Sequence, residues 1–181
     1  MRKSLDRIYN LSGYIAAFCI FAICLIVFIQ VVFNIIDKIS AKFTGEVIGL
    51  MIPSYTEIAG FLLTGASFFA LAYTFKKGGH IRVSLILQVL PKSVQRICNI
   101  FALILCFSLA TYAVYFCVML TYESFVYNDL SGGLIAIPVW IPQTFMSIGL
   151  AVFAIALLDD LLCYLWTKET PFSLTHHGEE A

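Results

Sequence analysis

The sequence predicts an all-α integral membrane protein built as a four-helix bundle, and its composition and charge distribution carry that prediction. Of its 181 residues, 61% are apolar and only 12% are charged, against about 45–50% and about 25% in an ordinary soluble domain. So few charges cannot supply the polar exterior of a soluble domain of this length. The 11 basic and 11 acidic residues balance, which leaves no basic footprint for nucleic acid.

Four stretches lack any Asp, Glu, Lys or Arg, and they define the elements in chain order. They cover residues 8–36, 58–75, 97–122 and 130–158. A hydrocarbon core about 30 Å thick needs about 20 mostly apolar residues in a helix. We expect membrane helices over residues 15–36, 58–75, 97–121 and 138–158, within a single domain of residues 1–181.

The positive charges predict the orientation of these helices. Three basic residues precede the first helix and five lie in the segment from Lys76 to Arg96, whereas the two predicted outer loops hold only Lys38 and Lys42. Because cytoplasmic loops carry the excess of Lys and Arg, we expect both termini in the cytoplasm. The last residues, 167–181, read as a cytoplasmic tail.

Two connecting segments have apolar residues at helical spacing. Residues 80–90 follow Gly78 and Gly79 and combine a narrow polar stripe with a broad apolar face, which predicts a short interfacial helix between the second and third crossings. A stop-transfer loop that happens to be apolar is the alternative. The first outer loop, from Asp37 to Glu57, is long for a helical hairpin, and apolar residues from Phe43 to Ile52 allow a second short helix at the outer surface.

The predicted crossings contain no ionisable residue, although a transport pathway or a proton relay normally requires one. None of the three histidines lies in a crossing where it could ligate haem, and the six cysteines include no Cys-x-x-Cys pair. We therefore expect no catalytic residue, no cofactor and no metal site. Gln30 and Asn34 are polar groups at membrane depth, where such side chains usually hydrogen-bond to another helix.

Glu57 stands at the outer start of the second predicted helix. An acidic residue in the first turn of a helix interacts favourably with the helix dipole. Contact with a partner protein is the other interpretation of this position.

Four segments, in order along the chain, resemble one family. They are Gln30-Val31-Val32-Phe33-Asn34, Tyr55-Thr56-Glu57-Ile58-Ala59-Gly60, Lys76-Lys77-Gly78-Gly79-His80-Ile81-Arg82-Val83-Ser84, and Ile137-Pro138-Val139-Trp140-Ile141-Pro142 with Ser147-Ile148-Gly149. Together they resemble the small membrane subunit of TRAP (tripartite ATP-independent periplasmic) transporters, the DctQ-like family. The resemblance extends from about Gln30 to Gly149.

The resemblance implies a role in sodium-driven import of an organic acid of the C4-dicarboxylate or sialic acid class. In such systems a periplasmic substrate-binding protein delivers the substrate, and a large membrane subunit carries the transport site. The small subunit braces the large one in the bacterial inner membrane and is not an enzyme. The alternatives are an anchor subunit of another inner-membrane complex, or a stand-alone small transporter.

The resemblance and the residue types together suggest which side chains contact the large subunit or phospholipid. These candidates are Lys76, Lys77, His80, Arg82, Gln30, Asn34, Glu57 and Trp140. For the basic members of this set, the ordinary excess of positive charge in cytoplasmic loops is the competing explanation.

Overall fold

Four long helices make up the part of the chain that the structure describes, as the sequence predicts. The computed structural model describes residues 2–44, 48–77 and 91–167, which hold α1 (Arg2–Thr44), α2 (Tyr55–Lys76), α3 (Lys92–Val126) and α4 (Trp140–Thr167). All four are long and apolar enough to cross a membrane. Within the described residues, the β-pairing is limited to an isolated bridge between Leu130 and Pro138. The all-helical membrane architecture is therefore confirmed.

The connection between α1 and α2 differs from the expectation of a second short helix. Residues 48–52 are not helical. Gly49 has a φ of 76° and Ser54 a φ of 55°, and Pro53 lies between them, so the local backbone cannot continue a helix. No glycine or proline interrupts residues 14–44, and α1 runs on to Thr44 instead. The predicted interfacial helix over residues 80–90 and the tail beyond Thr167 lie outside the described residues.

Helices α1 and α2 are antiparallel and pack along the whole length of α2. The facing pairs are Tyr9 with Lys76, Gly13 with Tyr73, Cys19 with Gly65, and Gln30 with Ile52. As the residue number rises along α1, the number of the facing residue falls by nearly the same amount, as expected for antiparallel helices. The two axes therefore stay side by side, and each residue of α1 has a defined level on α2.

Helix α4 packs on the other side of α2, and α3 packs on α4. Helix α4 runs parallel to α2, with Gly149 against the backbone of Phe68 and Asp159 beside Lys76. Helix α3 is antiparallel to α4, as shown by Phe125 against Trp140. The helices thus lie in the order α1, α2, α4, α3, and the buried side chains of Tyr9, Ala72 and Ala156 join the first three at one end.

Charged residues mark the two ends of this bundle. Glu57 and Lys76, on α2, are about 28 Å apart along the helix axis, close to the thickness of a hydrocarbon core. We refer to the Glu57 end and the Lys76 end. Because Gln30 lies beside Ile52, just before α2 begins, residues 31–44 continue past the bundle at the Glu57 end. This α1 extension, residues 31–44, is about 20 Å long.

Candidate functional site

At the Lys76 end, this lysine of α2 is surrounded by side chains from two other helices, α1 and α4. The Nζ atom of Lys76 donates to Oδ2 of Asp159 at 2.6 Å and lies 3.6 Å from Oδ1 of Asp160. The same atom is 5.1 Å from the centroid of the Tyr9 ring, and Asp160 is only 5% exposed. This ion-pair cluster ties the end of α2 to α4 and to the start of α1.

The sequence places Lys76 among the contacts to lipid or partner and does not predict its pairing with Asp159. The sequence does indicate that the two residues lie at the same end of the bundle. Two crossings separate the end of the second apolar stretch from the end of the fourth, so both ends lie on the same side of the membrane. Lys77 is exposed and its Nζ atom lies 6.0 Å from the centroid of the Tyr73 ring. His80 and Arg82 lie outside the described residues.

Gln30 fastens the chain between α1 and α2 onto α1. Its side chain is 5% exposed, its Oε1 atom accepts a hydrogen bond of 2.9 Å from the Ile52 N–H, and its Nε2 atom donates to Oδ1 of Asn34 at 3.2 Å. Both polar groups of the amide are therefore used inside the chain. The sequence expected such groups to join helices, whereas Gln30 binds a backbone amide that precedes α2.

Glu57 packs against the loop that joins α3 to α4. Its carboxylate contacts Gly133 so closely that a Cβ atom at Gly133 would overlap it. Nearby, the Ile135 N–H donates to Oγ of Ser54 at 2.9 Å, and the Glu57 N–H donates to the Ser54 carbonyl at 3.0 Å. The start of α2 and the α3–α4 loop thus form one packed unit at the Glu57 end.

Trp140 begins α4 at the same end. Its ring meets the ring of Phe125 edge-on, with centroids 5.7 Å apart and planes at 85°. Before it, the Val139 N–H donates to the Asp129 carbonyl at 3.0 Å, which closes the loop between α3 and α4. Indole rings favour the membrane–water interface, and Trp140 lies at one end of the bundle, where such an interface is expected.

One exposed helix face differs in composition from the others. The exposed residues of α2 fall on a single stripe, at spacings of three, four or seven residues, and most of them are small: Thr56, Gly60, Leu63, Ser67 and Thr74. The hydroxyl groups of Ser67 and Thr74 donate to the carbonyls of Leu63 and Ala70, each at 2.8 Å. These polar atoms are satisfied within the helix, which leaves a smooth surface that a second helix could approach closely.

The exposed faces of α1 and α4 carry bulky apolar side chains, as expected for surfaces in contact with lipid tails. Representative residues are Phe18, Phe21 and Phe28 on α1, and Ile148, Ile155 and Leu162 on α4. The small-residue face of α2 therefore stands apart from its surroundings. Across residues 2–44, 48–77 and 91–167, no three His, Cys, Asp or Glu side chains come together as a metal site requires.

Four apolar helices of membrane-spanning length, fastened by polar contacts near their ends, define a multi-pass helical membrane protein. The family model of the DctQ component of tripartite ATP-independent periplasmic transporters matches residues 23–166. The chain belongs to this family and is a small membrane subunit of a tripartite transporter. A comparison with curated proteins finds no match.

Proposed function

We propose that this chain is the non-catalytic small subunit of a sodium-driven importer of an organic acid, of the C4-dicarboxylate or sialic acid class. Family membership over residues 23–166 is the observation that carries the proposal. The charge-free crossings support a bracing role, because an ion-coupled pathway through this chain would need polar groups at membrane depth. The transport site then belongs to the large membrane subunit.

We propose further that the Lys76 end faces the cytoplasm of a bacterial cell and that the Glu57 end faces the periplasm. The excess of Lys and Arg in the first turns of α1 and in the segment from Lys76 to Arg96 supports this orientation. In a variant whose six cysteines are replaced, Lys77→Cys should resist a membrane-impermeant maleimide in whole cells whereas Lys42→Cys should react. The opposite pattern would reverse the orientation.

The small-residue face of α2 is the surface that we assign to the large subunit. Lipid tails are as apolar as leucine, so helices associate in a membrane through close packing rather than through the hydrophobic effect. A face with Gly60, Ser67 and Thr74 permits such packing, whereas bulky residues cover α1 and α4. We infer that one helix of the large subunit lies along α2.

Two serines provide a matched test of this assignment. Ser67 is exposed on α2 and Ser108 is exposed on α3. We expect Ser67→Leu to reduce copurification of the large subunit and substrate uptake, because a larger side chain separates the two helices, while Ser108→Leu should leave both unchanged. If the two variants show the same copurification and uptake, α2 is not the face that contacts the large subunit.

The basic segment after α2 is the proposed contact with phospholipid headgroups or with the large subunit at the cytoplasmic surface. Lys77, His80 and Arg82 are its members, while Lys76 is engaged inside the bundle. Alanine at the three positions should weaken assembly or uptake. If assembly and uptake are unchanged, these residues contact neither partner, and they only reflect the usual excess of positive charge on the cytoplasmic side.

Reconstitution separates the proposed function from its alternatives. Uptake into vesicles should require this chain, the large subunit, the binding protein and a sodium gradient together. Uptake by the chain alone would favour a stand-alone transporter. A haem or quinone spectrum in the purified complex would favour an anchor subunit of another membrane complex.

A further inference from the structure

The α1 extension, residues 31–44, leaves the bundle at the level where the membrane ends. The backbone of residues 48–52 is not helical, and the Ile52 N–H binds Gln30 at this level. Irregular backbone does not occur in contact with lipid tails. The hydrocarbon region therefore stops near Gln30 on α1, about 30 Å from Tyr9 at the other end.

The extension carries an apolar ridge beyond that level. Ile35, Ile39 and Phe43 follow one another at four-residue spacing, and they are 51%, 54% and 85% exposed. Ile39 and Phe43 lie about 13 and 19 Å beyond Gln30 along the helix. The polar headgroup layer adds only about 5–8 Å on each side of the hydrocarbon core. Lipid therefore does not cover the outer part of the ridge.

Two exposed lysines border the ridge. Lys38 and Lys42 are one turn apart and lie next to Ile39 and Phe43 in the sequence, whereas the side chain of Asp37 is half-buried. An apolar ridge bordered by positive charge is complementary to an apolar groove bordered by carboxylates. Large exposed apolar side chains in water mark a site of protein contact, and the neighbouring charges steer the partner.

We propose that the α1 extension is a docking site for the soluble periplasmic component of the transporter, which presents an apolar groove bordered by acidic residues. The identity of the partner and the periplasmic location rest on the proposed function. The ridge supplies the contact area, and Lys38 and Lys42 increase the rate of association. The extension thus holds the soluble component next to the membrane subunits while substrate is transferred.

The test measures binding of the purified soluble component to the small and large subunits in nanodiscs. We expect the double variant Ile39→Glu/Phe43→Glu to weaken binding by about tenfold or more, because central apolar residues dominate such contacts. Lys38→Gln/Lys42→Gln should slow association and reduce its dependence on salt. Leu134→Glu is the control, since Leu134 is 80% exposed in the α3–α4 loop and lies outside the extension.

Three outcomes would overturn the proposal. The first is unchanged binding by Ile39→Glu/Phe43→Glu. The second is loss of the large subunit from that variant, which would make the extension a contact within the membrane complex. The third is quenching of a fluorophore at Phe43→Cys by a nitroxide lipid but not by a water-soluble nitroxide, which would place the ridge in the membrane.

The same measurement is made with the wild-type chain alone in nanodiscs. Failure of the wild-type chain to copurify with the large subunit would contradict the proposed function. Binding of the soluble component to the chain alone, abolished by Ile39→Glu/Phe43→Glu, would still support the docking site. The two proposals therefore fail on different observations.

Discussion

The Nζ atom of Lys76, in the last turn of α2, lies 2.6 Å from Oδ2 of Asp159 on α4. The two residues are 83 positions apart in the sequence. Their side chains are 17% and 24% exposed, so water screens the pair less than it screens a surface ion pair. The contact fixes the relative position of two parallel helices where the chain leaves α2.

Replacing Lys76 should destabilise the chain. In Lys76→Met, the partly buried carboxylate of Asp159 loses the cation that lies 2.6 Å from it. We expect a loss of about 1–3 kcal/mol in the free energy of unfolding, because the negative charge of Asp159 is then no longer neutralised. Unfolding of the purified protein in detergent measures the change. Lys77→Met is the control, since Lys77 is exposed, and equal losses in the two variants would contradict a special role for Lys76.

Gly133→Ala should disturb the Glu57 end because the new Cβ atom would overlap the Glu57 carboxylate. We expect a loss of about 1–3 kcal/mol, as for other overpacked sites, measured by thermal unfolding. A Cβ atom at the neighbouring Gly132 would meet nothing within 4 Å, so Gly132→Ala should be nearly neutral.

A double-mutant cycle tests the cause of that loss. In the Glu57→Ala background the carboxylate is absent, and Gly133→Ala should become much less harmful, because residues in contact are not additive. Additive losses would show that Gly133 is required for its backbone conformation rather than for the space it leaves.

Gly149→Ala should force α2 and α4 apart. A Cβ atom there would lie 2.7 Å from the carbonyl carbon of Phe68, which belongs to the backbone and cannot rotate away. We expect a loss of about 1–3 kcal/mol in the stability of the isolated chain. Gly60→Ala is the control, because no atom lies within 4 Å of that Cβ position and alanine favours a helix over glycine. A stable Gly149→Ala variant would mean that the two helices can separate at little cost.

Gln30→Leu should release the segment before α2 from α1. The Ile52 N–H loses its acceptor, and we expect about 1–2 kcal/mol of destabilisation together with faster hydrogen exchange at the Ile52 amide. Asn34→Leu removes only the weaker bond of 3.2 Å to Gln30 and should leave the Ile52 amide protected. Equal protection of that amide in Gln30→Leu and in the unaltered chain would contradict the assigned role.

The apolar stretches predicted four helices because backbone groups in a bilayer must be satisfied within each segment. Their bounds were less predictable. Helix α1 passes residue 36 and ends at Thr44, since no glycine or proline stops it, and charges such as Asp37 and Lys38 do not end a helix. The short helix expected among residues 43–52 is not found, since α1 ends at Thr44 and residues 48–52 are not helical, and Gly49 and Pro53 outweigh the apolar spacing there.

Some of the contact residues could also be predicted from the sequence, whereas others could not. Gln30, Glu57 and Trp140 stood out as polar or aromatic residues at helix ends, and the structure places all three within contacts of the chain itself. The exposed stripe of small residues on α2 was not predicted, because the sequence alone does not show which side of this helix is exposed.

The sequence by itself determined that the chain is a helical membrane protein, because the lengths of apolar segments and the positions of charges are local properties measured against a bilayer of fixed thickness. Only the tertiary structure decided that Lys76 pairs with Asp159, that α2 exposes small residues, and that residues 31–44 pass beyond the bundle. These features depend on which helices are neighbours and in what register. Packing between distant segments sets both, and no local pattern encodes them.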